Sequence, residues 1–378
     1  MSDFPTMQDL VWAARKKLPT AVWDFVTYGS ETETTLRRNR QAIDSLAFVP
    51  RIMRDVSDVD PSTTLLGIAL RIPVMLAPVG SIALLEPSGA LAAAKAAEQF
   101  GIIQIVSGYA APGFETVAAA TAAPLIYALH PRADKIFLDD IVDRIKASGY
   151  KAIAFVSEAA YYSRRERDLM NDIATSAKRT RTYSSYLQQQ RDECSQGMTP
   201  SKEGLLGTII TWEMLERIKA RSGLPLILKG VTAVEDARLA IEHGVDVLYI
   251  SNHGGRAIDH GRGTIQVLPR IVEAIGDKVE VIIDGGFVRG SDVLKAISLG
   301  ARAVCMGRMQ SWALAAGGQF GLLRMLEILE EEIIVTMGLL GVTRLNQLNS
   351  DYLEPTLPVG PPHPLGAFPV VMERLANE

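Results

Sequence analysis

A histidine and an arginine set three residues apart, in Tyr249-Ile-Ser-Asn-His253-Gly-Gly-Arg256, are the residues of this chain best suited to do chemistry. The apolar run from Val245 to Ile250 stops at them abruptly. Val247, Leu248, Tyr249 and Ile250 read as a strand buried on both faces, the habit of a parallel sheet. Gly254 and Gly255 let the backbone turn and leave room for something flat to lie close. A proton acceptor beside a fixed cation at a strand's C-terminal end suits chemistry on a small carboxylic acid. A helix cap carrying a surface histidine is the plainer alternative, and the residues that accompany the pair weigh against it.

Those companions need a scaffold, and the chain outlines one. Eight short apolar runs, at 73–78, 102–107, 125–129, 152–158, 225–229, 245–251, 279–284 and 303–307, alternate with Ala- and Leu-rich amphipathic stretches. This alternation predicts an α/β fold, a (β/α)8 TIM barrel, in preference to an open doubly wound sheet. A dinucleotide fold would want G-x-G-x-x-G after an early strand, and the first strand is followed only by Pro78-Val-Gly-Ser-Ile. The reading is one domain over 1–378: a helical cap at 1–50 (helices at 9–17, 21–28 and 32–46), a barrel at 73–335 and an irregular tail at 350–378. The tail is rich in proline and is expected to wrap a neighbouring subunit or hang free. More than 60 residues separate the fourth and fifth strands, including Arg164-Arg-Glu-Arg167 and Arg179-Thr-Arg-Thr-Tyr183, with a helix expected at 211–221. A βα loop of that length predicts a lid over the C-terminal face.

Composition removes whole classes of function. With 48% hydrophobic and 22% charged residues the chain is that of a soluble globular protein. A net charge of −4 and no basic stripe argue against nucleic-acid binding. No run nears the roughly 20 apolar residues that span a bilayer, so no membrane role is expected. Cys194 and Cys305 lie far apart without metal spacing, which predicts neither disulfide nor metal site, and Cys305 reads as core. The N-terminus lacks a signal peptide and the ending Leu-Ala-Asn-Glu carries no peroxisomal address, so a cytoplasmic enzyme is expected.

Catalytic residues of such barrels come from several strand C-termini. The fifth strand ends at Lys229, a buried ammonium that requires an anionic partner. The sixth supplies Ser251, His253 and Arg256; the seventh ends in Asp284-Gly285-Gly286-Phe-Val288-Arg289; the eighth ends in Gly307-Arg308. Glycine-rich turns after strands seven and eight, each with an arginine, form the phosphate cradle of barrel enzymes.

Ser251-Asn-His-Gly-Gly-Arg256, Ile258-Asp259, Leu268-Pro269, Asp284-Gly-Gly, Gly290-Ser-Asp-Val-Leu-Lys-Ala, Gly300-Ala-Arg-Ala-Val, Pro225-Leu-Ile-Leu-Lys229-Gly-Val and Leu76-Ala-Pro-Val together resemble the FMN-dependent α-hydroxy-acid oxidase/dehydrogenase family. That family includes glycolate and lactate oxidases, mandelate dehydrogenase and lactate monooxygenase. The resemblance covers nearly the whole chain. It implies FMN as cofactor and oxidation of an L-2-hydroxy acid to the 2-oxo acid, with oxygen or another electron acceptor, in a homotetramer. It implies His253 as the base, Arg256 as the carboxylate clamp, and Lys229 beside flavin N1 and O2. Ala77, Pro78, Val79, Ser107 and Ser251 would line the flavin. Asp284, Gly285, Gly286, Val288, Arg289, Gly307 and Arg308 would take the ribityl chain and phosphate.

Departures from the family pattern bear on the substrate. Phe25 and Leu129 stand where tyrosines are expected in the substrate pocket, and Tyr127 where a flavin-contacting glutamine is expected. Glu158 replaces the aspartate that orients the histidine, Val288 replaces the phosphate-facing arginine, and Tyr109 replaces a tryptophan. Loss of two hydroxyls makes the pocket more apolar, which predicts a bulky or aromatic 2-hydroxy acid. Gly80, where oxidases tend to carry alanine, points to an acceptor other than oxygen, or to oxygen reacting while product is held. The altered residues also motivate a second expectation, oxidative decarboxylation or oxidation of a natural-product or peptide intermediate. A non-catalytic barrel is disfavoured by His253, Arg256 and Lys229. His260 and Arg262 read as a solvated loop, and His130, His243 and His363 as structural.

Overall fold

In the computed structural model, which describes residues 4–131, 135–161, 163–171 and 210–377, eight apolar segments close on themselves in parallel. In chain order the strands are β1 (Leu46–Phe48), β2 (Thr63–Leu65), β3 (Ile68–Leu70), β4 (Val74–Leu76), β5 (Gln104–Ser107), β6 (Leu125–Leu129), β7 (Ala152–Val156), β8 (Leu226–Val231), β9 (Val247–Ile250), β10 (Glu280–Ile283), β11 (Ala303–Met306) and β12 (Leu353–Pro355). The barrel runs β4 to β11, with β11 pairing back onto β4 through Cys305 and Met75. Each of the eight expected strands is present, and nearly every barrel position is buried, as expected for a sheet lined inside and helix-covered outside. Cys305 is a buried free thiol within β11.

Three helices cap the barrel: α1 (Met7–Lys17), α2 (Thr20–Thr27) and α3 (Thr34–Asp44). A Thr6/Asp9 capping box starts α1, and Arg15, Lys16 and Lys17 complement the dipole at its end. Its apolar stripe of Met7, Leu10, Val11 and Ala14 packs on the long helix Arg308–Leu340, which is kinked at Gly317 and Gly318. Trp312 of that helix stacks on Trp23 of α2 at 5.9 Å between centroids and donates to Thr27 Oγ1.

α3 is held to the barrel by polar bonds. Arg40 donates to both carboxylate oxygens of Asp292 (2.8 and 2.9 Å), and its Nη1 reaches the Gly286 carbonyl. Both side chains are almost fully buried. The carboxylate of Asp259 accepts the backbone N–H groups of Thr32 and Thr35 and the Thr32 hydroxyl. These bonds anchor the loop after His253 to the start of α3.

The tail departs from the expectation of irregularity. β12 pairs antiparallel with β1, and a helix forms at Pro369–Ala376. Leu365, Phe368 and Val371 are fully buried, with Phe368 edge-on against Trp312. Proline density masked an apolar trio that covers this chain's own core. The helix expected at 211–221 is Trp212–Ser222, capped by Thr211. Of the rest of the expected lid, residues 163–171 are described and form a short helix at Glu166–Met170, whereas Arg179–Tyr183 and Cys194 lie outside the described residues. Among the described residues no helix is long and apolar enough to cross a membrane.

Replacing one member of a buried ion pair leaves the other charge uncompensated, at about 3–5 kcal/mol. Arg40→Ala is therefore expected to lower the unfolding free energy by about that amount, measured by urea denaturation. A loss below about 1 kcal/mol would contradict the anchoring role of the Arg40–Asp292 pair.

Candidate active site

Strand register sets the functional groups at one level of the barrel mouth. Val156 pairs with Lys229, Lys229 with Tyr249, and Ile283 with Ile250. Glu158, Lys229, Ser251, His253 and Asp284 therefore emerge together from four adjacent strands. A register shift between Lys229 and Val231 places Gly230 at φ +112°. A Cβ there would lie 2.7 Å from Glu158 Oε2, so glycine is required both by conformation and by space.

Glu158 is the hub. Its Oε1 accepts from Lys229 Nζ and lies 2.9 Å from His253 Nδ1, while Oε2 is buried without a partner among the described residues. Burial opposes ionisation of this carboxyl, but the ammonium of Lys229 and the bond to His253 outweigh it and hold it well below its usual range. Burial lowers Lys229 less than the carboxylates of Glu158 and Asp284 raise it, so the amine stays charged. His253 is pushed down to about 4, first by burial and then by Lys229, against the opposing pull of Glu158. At neutral pH the imidazole is neutral, the form that accepts a proton.

The backbone of His253 is left-handed, φ 55°. It is held by a chain of bonds in which His253 N–H donates to Ser251 Oγ (3.1 Å), and the Ser251 and Tyr249 hydroxyls donate to Asp284 at 2.7 and 2.9 Å. Asn252 and Asn39 exchange reciprocal amide bonds that fasten the same turn to α3.

Arg256 reaches under the cap. Its Nη1 donates to the carbonyls of Phe25 and Tyr28, and the guanidinium lies 4.8 Å from the centre of the Phe25 ring. Ser163 Oγ and Arg165 Nη2 donate to the Arg256 carbonyl at 2.6 and 3.1 Å. Burial, then Arg165 and Arg308, holds Arg256 well below its ordinary value, with Asp168 the opposing carboxylate. Arg308 is pushed down to about 10 for the same first reason. Half-buried cations crowded this way favour an anionic occupant.

The glycines after His253 correct one expectation. A Cβ at Gly254 would lie 2.7 Å from Arg308 Nη1, and one at Gly255 would lie 2.6 Å from the Leu36 backbone nitrogen. The space there belongs to Arg308 and α3, not to a flat ligand.

The fit to FMN is uneven along the molecule. Gly307 is open, since a Cβ would meet only Ala77 at 4.0 Å, and it precedes the N-terminus of the helix Arg308–Leu340, whose first N–H groups have no intrahelical partner. Ala77 and Ser107 are buried at the ends of β4 and β5, with Pro78, Val79 and Gly80 partly exposed beside them. Lys229 supplies a buried positive charge. The phosphate turn is poorer. Val288 is buried, its N–H bonds Asp292, and Arg289 pairs with Glu332 at 2.6 Å. Arg308 donates from Nε to the Thr27 carbonyl at 2.8 Å. The residues fit the flavin, and phosphate recognition would fall to the helix N-terminus and Arg308. Asp284 and Ser251, expected to contact the cofactor, are bonded to each other. Tyr127 packs its ring among Phe114 and Tyr150.

Leu129 is buried at the end of β6 and Tyr109 lies partly exposed beyond β5. Three residues were overlooked in the sequence. Arg165 was legible only as part of a polar loop, and Asp259 only as a motif member. His130 reads as structural in the sequence, yet its ring centre stands 4.4 Å from that of Tyr109, and His253 helps to push it down to about 3 after burial. His243 stacks on Trp212 and meets Glu216, and His363 Nδ1 accepts the Leu365 N–H, so these two serve local structure. His260 is exposed, while Arg262 donates to the Thr232 carbonyl.

Residues 14–355 match the model of the FMN-dependent dehydrogenase family. The chain belongs to this family. It is 37% identical to 4-hydroxymandelate oxidase of Amycolatopsis orientalis, over 89% of this chain and 95% of that one. Glycolate oxidase 3 of Arabidopsis thaliana is 34% identical, over 90% and 93%. The structure of mandelate oxidase with (S)-2-phenylpropionate superposes with a TM-score of 0.81 at 34% identity, covering 94% of this chain and 99% of that one. As a member of this family the protein is an FMN-dependent oxidoreductase acting on 2-hydroxy acids.

The depressed values of His253 and His130 carry a stability signature. The unfolded chain, with histidines near 6.5, binds protons that the folded state refuses, so stability is full above about pH 6.5 and declines as pH falls towards 4. Denaturant titrations at pH 7 and pH 5 should show this decline reduced in His253→Gln. An unchanged pH dependence would contradict a neutral, partly buried His253.

Proposed function

We propose that the protein oxidises an L-2-hydroxy acid with a bulky or aromatic side chain to its 2-oxo acid, with His253 as the base. The observation that carries this reading is the neutral His253 fixed by Glu158 in the same turn as the half-buried guanidinium of Arg256. Arg256 pairs with the substrate carboxylate, and Arg165, fixed on the Arg256 carbonyl, adds a second positive charge. That contact sets the α-carbon and its hydroxyl near His253. His253 takes the hydroxyl proton at Nε2 while Nδ1–H donates to Glu158, which stabilises the imidazolium as it forms. FMN, when bound, supplies the acceptor for the α-hydrogen and two electrons. Phe25 and Leu129 offer apolar walls without hydroxyls, which favours a large side chain. A Cβ at Gly80 would make only ordinary contacts with Tyr109 and Ser107, so space remains beside the expected flavin face.

The test is anaerobic mixing of the yellow holoenzyme with 2-hydroxy acids graded by side-chain size, following loss of flavin absorbance. Aromatic acids are expected to bleach the flavin faster than glycolate. His253→Ala is expected to slow bleaching by at least about a hundredfold with flavin still bound. Bleaching of the variant at the wild-type rate would refute the base. Arg256→Lys should weaken substrate binding sharply, since an ammonium cannot reproduce the planar fork, and unchanged affinity would contradict the clamp.

A further inference from the structure

His130 follows β6 directly, at the mouth from which the catalytic groups emerge. Its ring tilts against Tyr109 at 4.4 Å. Nδ1 is buried near the Ala128 backbone, without a well-formed hydrogen bond among the described residues, and the ring as a whole keeps partial exposure, so its exposed edge is the part a ligand can meet. It is coupled electrostatically to His253, Glu158 and Lys229, so it belongs to the same cluster as the base. Leu129, the residue before it, has no side-chain polar atom and is buried. A half-exposed imidazole beside such a residue, at the mouth where the base emerges, is out of keeping with an apolar pocket unless a ligand bonds its exposed edge.

We propose that His130, backed by Tyr109, is a specificity-determining residue that hydrogen-bonds a neutral hydroxyl on the substrate's side chain. The proposal rests on the reading of His253 as base and Arg256 as carboxylate clamp, and adds the part of the substrate that they do not touch. A neutral imidazole has one donor and one acceptor nitrogen, and a hydroxyl is both donor and acceptor, so either tautomer is matched. A second carboxylate would call for a cation here, and burial together with His253 and Lys229 keeps this ring uncharged. A cationic side chain would meet the repulsion of Lys229 and Arg256. A ring-hydroxylated aryl 2-hydroxy acid satisfies both the apolar walls and the histidine.

The experiment compares wild-type holoenzyme with His130→Phe, which keeps a ring to pack on Tyr109, and with His130→Asn, which restores a polar group. Anaerobic flavin reduction is measured with mandelate and with its 3-hydroxy and 4-hydroxy forms, as the ratio of rate constant to dissociation constant. The wild type is expected to favour at least one hydroxylated acid over mandelate by about tenfold or more. In His130→Phe that preference should fall towards unity while mandelate itself changes by less than about threefold, and His130→Asn should recover part of it. Equal treatment of the acids by the wild type, or an undiminished preference in His130→Phe, would overturn the proposal. Failure of every acid to reduce the flavin would instead overturn the 2-hydroxy-acid reading on which it rests.

Discussion

One carboxylate oxygen carries the organisation of this site. Glu158 Oε1 receives both the ammonium of Lys229 and the imidazole of His253, so the base and the buried cation are tied to the same point. The arrangement is sustained by mutual need. Burial would discharge each group alone, and the pairing keeps the carboxylate and amine ionised while the imidazole stays neutral. A glutamate, one methylene longer than an aspartate, reaches both partners, and the absence of a side chain at Gly230 is what admits its other oxygen.

The surrounding fold can be understood as what this point requires. Parallel strands of matched register bring Glu158, Lys229, His253 and Asp284 to one height. A second polar line, from Asp284 through Ser251 to the His253 backbone, fixes the left-handed turn that aims the ring. The capping helices then close the substrate side. Arg256 and Arg308 donate to carbonyls at the end of α2, and Arg40, Asp259 and the Asn39–Asn252 pair fasten α3 to the same loops. The cap is thus part of the active site's electrostatics as well as its roof.

Much of this was legible in the sequence because the signals were strong and local. The barrel strands are continuous apolar runs, and His253, Arg256 and Lys229 sit directly at their ends. What stayed hidden depends on contacts between distant segments. Arg165 reads as one arginine among several in a polar loop, and only the fold brings it to the Arg256 carbonyl. Nothing around His130 announces a partner, because Tyr109 comes from a different strand's loop. Gly254 and Gly255 suggested space for a ligand, but the space is taken by Arg308 and Leu36. The tail misled because prolines obscured Leu365, Phe368 and Val371, whose burial depends on Trp312 about 50 residues earlier.

If Glu158 is the hub, removing its charge must impair proton transfer without disturbing the carboxylate clamp on the far side of the substrate. Stopped-flow reduction of the flavin by mandelate in Glu158→Gln measures both quantities, the limiting rate and the apparent dissociation constant. The account predicts a rate lower by at least about a hundredfold with the dissociation constant within about threefold of wild type. A wild-type rate in the variant, or a loss confined to binding, would contradict it.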